Sequence, residues 1–240
     1  MGNYWVVSNN IPIIETGELH LWRAFLSANT APYTQYLDEQ ERERMQRFRF
    51  EHDRRMYGFS HVLMRRLLAG YLGVLPKKIG YSYTQYGKPY LRFQDRHDRI
   101  EFNLSHSGEV ILIAVAITVP VGVDVEKIKP LPEMDQIAAR FFSNGEQVDL
   151  SSLSGSAKLA AYYHCWTRKE AVIKASGEGL SMPLDSFRVS FLPGEPTRLV
   201  KSADQRAWLL LDIKCAKGYA AAVAAPVDRL QVSYFSAEGL

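Results

Sequence analysis

The run from Val110 to Val123, "VILIAVAITVPVGV", constrains this chain more than any other stretch. It is shorter than the roughly 20 apolar residues that a membrane helix needs, and Pro120 and Gly122 interrupt it, so it reads as core and no membrane span is expected. Upstream, Ile100, Phe102 and Leu104 alternate with polar residues before a Ser-His-Ser-Gly turn. "RIEFNLSHSGEVILIAVAI" therefore predicts a β-hairpin of core strands. A chain of 240 residues, 47% hydrophobic and 23% charged, can close a full core around such a hairpin.

The rest of the chain repeats a mixed pattern. Residues 4–8 and 19–22 read as short strands. The stretch from about Leu37 to Leu72 reads as helix, with Phe59, Val62, Leu63, Leu67 and Leu68 as its apolar stripe and Gly73 and Pro76 ending it. "YSYTQYGKPYL" is a strand, a Gly-Lys-Pro turn and a second strand. In the second half "KLAAYYHCWTRKEAVIKAS" is a helix closed by Gly177 and Gly179, while "FRVSF", "RAWLLLDIKC" and "GYAAAVAAPVDRLQVSYF" read as strands. "SGEVILIAVAITVPVGVDV" and "KGYAAAVAAPVDRLQV" share one order: turn glycine, apolar strand, proline, further strand. The expectation is an α+β fold of two similar α/β-like subdomains, residues 1–115 and 116–240, related by a pseudo-twofold with the active site at their interface.

Charge and cysteine content narrow the function classes. A net charge of +3 gives no global basic field of the kind nucleic-acid proteins carry, so no nucleic-acid partner is expected. No opening stretch has the build of a signal peptide, and Cys165 and Cys215 lack metal-ligand spacing; free thiols in the cytoplasm are the expectation. Arginines are dense from Arg42 to Arg66, with Glu41, Glu43, Glu51 and Asp53 among them. That pattern suits a solvated helix with opposite-charge pairs three or four apart, or an anion site for phosphates or an acidic partner.

Two groups could carry chemistry. In a strand, Val123 and Val125 point one way and Asp124 and Glu126 the other. Such a pair is either a solvated strand edge or a hard-cation site, since adjacent carboxylates repel unless a proton or metal compensates, and Mg²⁺ prefers oxygen ligands. In "WTRKEAVIKASGEGL", Glu170 and Lys174 lie four apart on one helix face, and Glu170 interrupts the apolar stripe Leu159, Tyr162, Trp166, Ile173. An ordinary ion pair and a metal-assisted phosphate-transfer site both fit that spacing.

"VGVDVE", then "WTRKEAVIK" some forty residues on, with "YGKP" and "FNLSHSG" upstream and "RFFSNGE" between, resembles the 4′-phosphopantetheinyl transferase superfamily, specifically its Sfp-type branch. The resemblance runs in order from about Glu39 to "VSYF". It implies transfer of the phosphopantetheine arm of coenzyme A to a serine of an acidic apo acyl or peptidyl carrier protein, with release of adenosine 3′,5′-bisphosphate, by a monomer. It implies Mg²⁺ on Asp124, Glu126 and Glu170, with Glu170 also the base and Lys174 neutralising the departing phosphate. Arg44, Tyr86, Gly87, Lys88, Pro89, Ser105 and His106 are implied as coenzyme A contacts, in the first subdomain. Glu41 stands where some members carry lysine and Tyr57 where some carry a small hydroxyl residue, two departures at the 3′-phosphate end. Glu146 of "FFSNGEQ" falls at an acid of the intermotif region, with a catalytic and a partner-facing role both open. Apolar residues of the 134–150 segment are expected to help bind a carrier helix. Two rivals share parts of this pattern: a Mg²⁺-dependent nucleotide pyrophosphate hydrolase, and a non-catalytic basic binding module.

Overall fold

The computed structural model describes residues 4–26, 34–92, 99–201 and 206–240. Along them run strands β1 (Val6–Val7) and β2 (Glu18–Phe25), helices α1 (Glu39–Gln46) and α2 (Glu51–Leu72), and strands β3 (Tyr81–Tyr83), β4 (Pro89–Leu91), β5 (Ile100–Ser107), β6 (Val110–Ile117) and β7 (Gly122–Lys127). Helices α3 (Met134–Phe141), α4 (Asn144–Ser151) and α5 (Gly155–Ser176) follow. Strands β8 (Arg188–Val189), β9 (Leu199–Lys201), β10 (Leu209–Asp212), β11 (Tyr219–Ala225) and β12 (Gln231–Ser236) complete the order.

The long apolar run has a simple cause: β6 is covered on both faces. Ile111, Ile113, Val115 and Ile117 pack with Trp22 of β2 and with Leu63, Leu67 and Leu68 of α2. Leu112, Ala114 and Ala116 pack against Val123 and Val125 of β7 and Ala221 and Val223 of β11. Side chains alternate along a strand, so one buried on both sides must be apolar throughout. The layers are thus α2, a first sheet in the order β1-β12-β2-β6-β5, a second sheet in the order β10-β11-β7, and α5.

The fold is α+β, and its two halves repeat one plan. A lone strand (β2 or β7) precedes a 22-residue helix (α2 or α5), then a short hairpin (β3-β4 or β8-β9), then a hairpin (β5-β6 or β10-β11) whose second strand pairs antiparallel with the lone strand. The expected division at residues 115 and 116 falls inside β6, and β12 returns from the second half to lie parallel between β1 and β2. A strand's own pattern specifies its faces but not its neighbours, so this crossing has no local signal.

The helix expected from Leu37 to Leu72 is two helices. Arg47 caps α1, and Phe50, in extended conformation, opens α2. Arg54 Nη2 donates to the Phe48 carbonyl, satisfying a group that the break frees. Buried Arg65 of α2 grips α1 through Glu41 Oε2 and Asp38 Oδ2, both at 2.6 Å. Some of the dense arginines do form the expected exposed pairs, Arg47 with Glu43 and Arg54 with Glu51. Both cysteines are free and buried. Among the described residues no helix is long and apolar enough to cross a membrane.

Candidate active site

The site forms where α5 lies directly on the start of β7. Any Cβ on Gly122 would stand 2.1 Å from the Ala171 carbonyl oxygen and 2.3 Å from the Ala175 nitrogen, so helix and strand backbones meet only because residue 122 is glycine. The alanines Ala220, Ala222 and Ala224 of β11, next to β7, leave the same face low for α5. This contact brings Lys174 over β7. Its Nζ donates to Asp124 Oδ1 at 2.6 Å, to the Val123 carbonyl at 3.2 Å and to Ser105 Oγ at 3.2 Å.

Val123 and Val125 are fully buried between the sheets, whereas Asp124 and Glu126 face α5, as the alternation predicts. Asp124 is buried with one oxygen on Lys174; among the described residues its Oδ2 has no hydrogen-bond partner. Glu126 and Glu170 are half-buried neighbours of this charge. Burial, then the charges of Asp124 and Glu126, hold Glu170 above the usual carboxylate range against the pull of Lys174. Burial also raises Glu126, with the Ser107 hydroxyl opposing and Asp124 adding. Lys174 thus pairs with Asp124 of β7, and its expected four-residue partner Glu170 is left as a second unneutralised acid.

These observations fit a hard cation: a buried carboxylate oxygen without a donor, beside two carboxyls that its charge makes harder to ionise. Among the described residues no three His, Cys, Asp or Glu side chains stand close enough together to hold a metal ion, so the three acids would have to draw in around one. What the fold brings together is a set of neighbouring carboxylates on facing elements.

A trough runs from this point over the first half. One cavity of about 260 Å³ is lined by Tyr86, Lys88, Glu170 and Ile173, and a second of about 610 Å³ by Arg44, Tyr57, His61, Ser105 and His106. They share Gly87, Pro89, Asn103 and Lys174, so all the expected coenzyme A residues border one continuous space. A third cavity of about 690 Å³ continues it past Arg44 and Arg47. Gly87 takes a positive φ of 83° at the β3–β4 turn. Lys88 reaches from that turn to the Val121 and Ala175 carbonyls at 3.2 and 3.4 Å, a cation at the C-terminal end of α5, and burial lowers its pKa. Ser105 is buried, its hydroxyl donating to Asp124 Oδ1 at 2.9 Å and accepting from the Val125 amide at 3.3 Å. His106 opens to the trough, yet the protein around its ring, then its neighbours His61 and Lys174, lower its pKa to about 4.

Two expectations change. Glu146 is neither a loop acid nor exposed to a partner: it is 0% exposed, caps α4 through the Ser143 amide, pairs with equally buried Lys169 at 2.7 Å and accepts the Val189 amide at 2.8 Å. Glu41 is likewise buried, held by Arg65 and by His61 Nδ1 at 3.2 Å, so it borders the Arg44–Arg47 end of the trough as a paired carboxylate and not as a free charge. Several contacts escaped the sequence pattern. Asn103 Oδ1, Ser105 Oγ and Ser107 Oγ accept the amides of Val123, Val125 and Lys127 in turn, lacing β5 to β7. The alternation of "NLSHS" was their signal. His61, stacked on Tyr57 with ring centroids 4.0 Å apart, had none beyond its four-residue spacing.

Comparison with known proteins covers most of this architecture. The family model described as "4'-phosphopantetheinyl transferase superfamily" matches residues 120–224, and that described as "4'-phosphopantetheinyl transferase, N-terminal" matches residues 21–118. The 4'-phosphopantetheinyl transferase HetI of Nostoc sp. is 34% identical over 86% of this chain and 87% of its own. A 4'-phosphopantetheinyl transferase of Bacillus subtilis is 40% identical over 62% of this chain and 64% of its own. The 4'-phosphopantetheinyl transferase Sfp of Bacillus subtilis (strain 168) is 35% identical over 65% and 67%. With matched segments on both sides of the seam and a relative aligned along most of both chains, this chain belongs to the 4′-phosphopantetheinyl transferase superfamily and is a transferase.

Proposed function

We propose that this transferase moves the 4′-phosphopantetheine arm of coenzyme A to a serine hydroxyl of an acidic apo acyl or peptidyl carrier protein, in a Mg²⁺-dependent reaction that releases adenosine 3′,5′-bisphosphate. One observation carries the reading: the Lys174–Asp124 pair, with Asp124 Oδ2 unpartnered among the described residues, at the junction of the trough and the facing acids Glu126 and Glu170. Phosphoryl transfer asks a protein chiefly to position reactants and neutralise charge, and this junction joins both tasks.

Asp124, Glu126 and Glu170 would hold the ion, which when bound supplies positive charge to the pyrophosphate oxygens. Glu170, raised in pKa and half-buried beside the trough, accepts the serine proton. Lys174 orients Asp124 and offers a cation to the departing phosphate. Arg44, at the far wall, meets the nucleotide phosphates, and neutral His106 hydrogen-bonds them. The first subdomain so contributes the nucleotide contacts and the second the acids. The carrier docks over α3 and α4, where Val148 is 69% exposed, with arginine and lysine side chains steering its acidic surface. Buried free thiols suit the reducing cytoplasm, where we expect the enzyme to act as a monomer.

The test is to incubate the protein with coenzyme A, Mg²⁺ and a panel of apo carrier proteins and to weigh the carriers. A phosphopantetheine mass gain on at least one, absent with chelator, is expected. No gain on any, or nucleotide release without carrier, would overturn the reading in favour of a hydrolase.

A further inference from the structure

β5 and β7 run side by side at the seam, yet β5 pairs in its sheet with β6 and β7 pairs in its own with β11. Side chains make the junction. Residues 103, 105 and 107 of β5 meet the amides of residues 123, 125 and 127 of β7, so the two strands are parallel and in phase. At two of these rungs the same hydroxyl also reaches a carboxylate: Ser105 reaches Asp124, and Ser107 donates to Glu126 Oε2 at 2.7 Å.

Ser107 has one proton to give. Its oxygen accepts the Lys127 amide at 3.1 Å, which fixes the hydroxyl on the β7 backbone, and the remaining proton points at Glu126. Asp124 is held additionally by Lys174, but for Glu126 the described hydrogen bond is the one from Ser107. Half-buried on a strand, a glutamate has three rotatable bonds, so a single charge-assisted bond decides where its carboxylate stands.

We propose that Ser107 is a positioning residue for Glu126: anchored by the Lys127 amide, it turns the Glu126 carboxylate toward Asp124 and Glu170 so that the three acids can share one divalent cation. This rests on the metal reading above. Outer partners of metal-binding carboxylates act in this way, and their loss costs about 10- to 100-fold in metal affinity.

The test titrates Mg²⁺ calorimetrically into the full-length wild type, Ser107→Ala, Ser107→Thr, Glu126→Ala and the Ser107→Ala/Glu126→Ala double variant, and follows the Mg²⁺ dependence of carrier modification. Ser107→Ala should weaken Mg²⁺ binding about 10- to 100-fold and raise the half-saturating Mg²⁺ in parallel, with the KM for coenzyme A unchanged. Ser107→Thr, which keeps the hydroxyl, should restore both. In the Glu126→Ala background, Ser107→Ala should cost nothing further, because the serine acts through that carboxylate. Wild-type Mg²⁺ affinity in Ser107→Ala, or an equal loss with and without Glu126, would overturn the proposal. Should Ser107→Ala fail to fold, Ser107→Cys keeps the size with a weaker donor, and wild-type affinity there overturns it as well. If the wild type modifies no carrier, the proposed function falls while the Mg²⁺ titration still decides this point.

Discussion

Asp124 concentrates the chemistry of the site in one side chain, since its two oxygens have opposite surroundings: one holds the Lys174 ammonium, the other faces no donor among the described residues. Replacing Asp124 by Asn keeps the shape and removes the charge. We predict that Asp124→Asn and Glu170→Gln each lower carrier modification by about 100- to 10,000-fold with an unchanged circular dichroism spectrum, the range expected when a proton acceptor or its charge partner is lost. Glu146 makes the contrast. Its ion pair with Lys169 is fully buried, so Glu146→Ala leaves an uncompensated cation in the core, and denaturant unfolding should record a loss of about 3–5 kcal/mol. Turnover per folded molecule should stay near wild type, because Glu146 lines none of the trough. The sequence already carried the clue. "SNGE" has the Ser-x-x-Glu spacing of a capping box, and "DEQE" at Asp38–Glu41 has the Asp-x-x-Glu version; both acids do cap helices. Leaving Glu146 open between a catalytic and a partner-facing role overlooked that spacing.

At the scale of elements, the contact between β7 and α5 governs the site. Gly122→Ala inserts one methyl against helix backbone that cannot step aside without carrying Lys174 off Asp124. Thermal melting should show a destabilisation of about 1–3 kcal/mol. The Mg²⁺ requirement for carrier modification should rise as well, since helix and strand separate at the acids themselves. Hairpin β5–β6, strand β7 and helix α5 were all legible, because alternation, a continuous apolar run and glycine closure are local signals. The paired valines and acids of β7 also fell on the faces that alternation assigns. The break between α1 and α2 was not legible: "QRFRFE" contains neither glycine nor proline, and what holds the bend is the grip of Arg65 on Asp38 and Glu41 at the start of α1 and of Arg54 on the Phe48 carbonyl. Packing decided against propensity.

Across the molecule, acid should loosen the fold through buried histidines. His20 of β2 is 3% exposed; its Nδ1 lies 2.8 Å from the Tyr71 hydroxyl, which accepts from Trp22 Nε1 at 2.7 Å, and its Nε2 faces Glu18. Burial lowers its pKa, with Glu18 opposing, and burial likewise lowers that of His164. Below the ordinary value of 6.5 the unfolded chain therefore binds protons that the folded chain refuses, and stability falls as pH falls. Melting temperatures should decline from pH 7.5 to 5, and His20→Gln should flatten that slope; a flat wild-type profile would contradict the assignment. The two-half plan was visible in the repeated order of strand, proline and strand, and the cleft between the halves followed from it. The lacing of the halves at β5 and β7 depends on which strands become neighbours, and that only the assembled molecule reveals.

The return of β12 to the first sheet has a consequence for biosynthesis. β1 and β2 leave the ribosome before the second half is made, but the strand that lies between them spans residues 231–236. During translation the first sheet waits with an open edge while the second half is made, so an early chaperone could occupy that edge, and the halves mature together once residues 231–236 have emerged. A nascent chain arrested before residue 231 should therefore stay protease-sensitive around β2, even with α5, β7 and β11 already made.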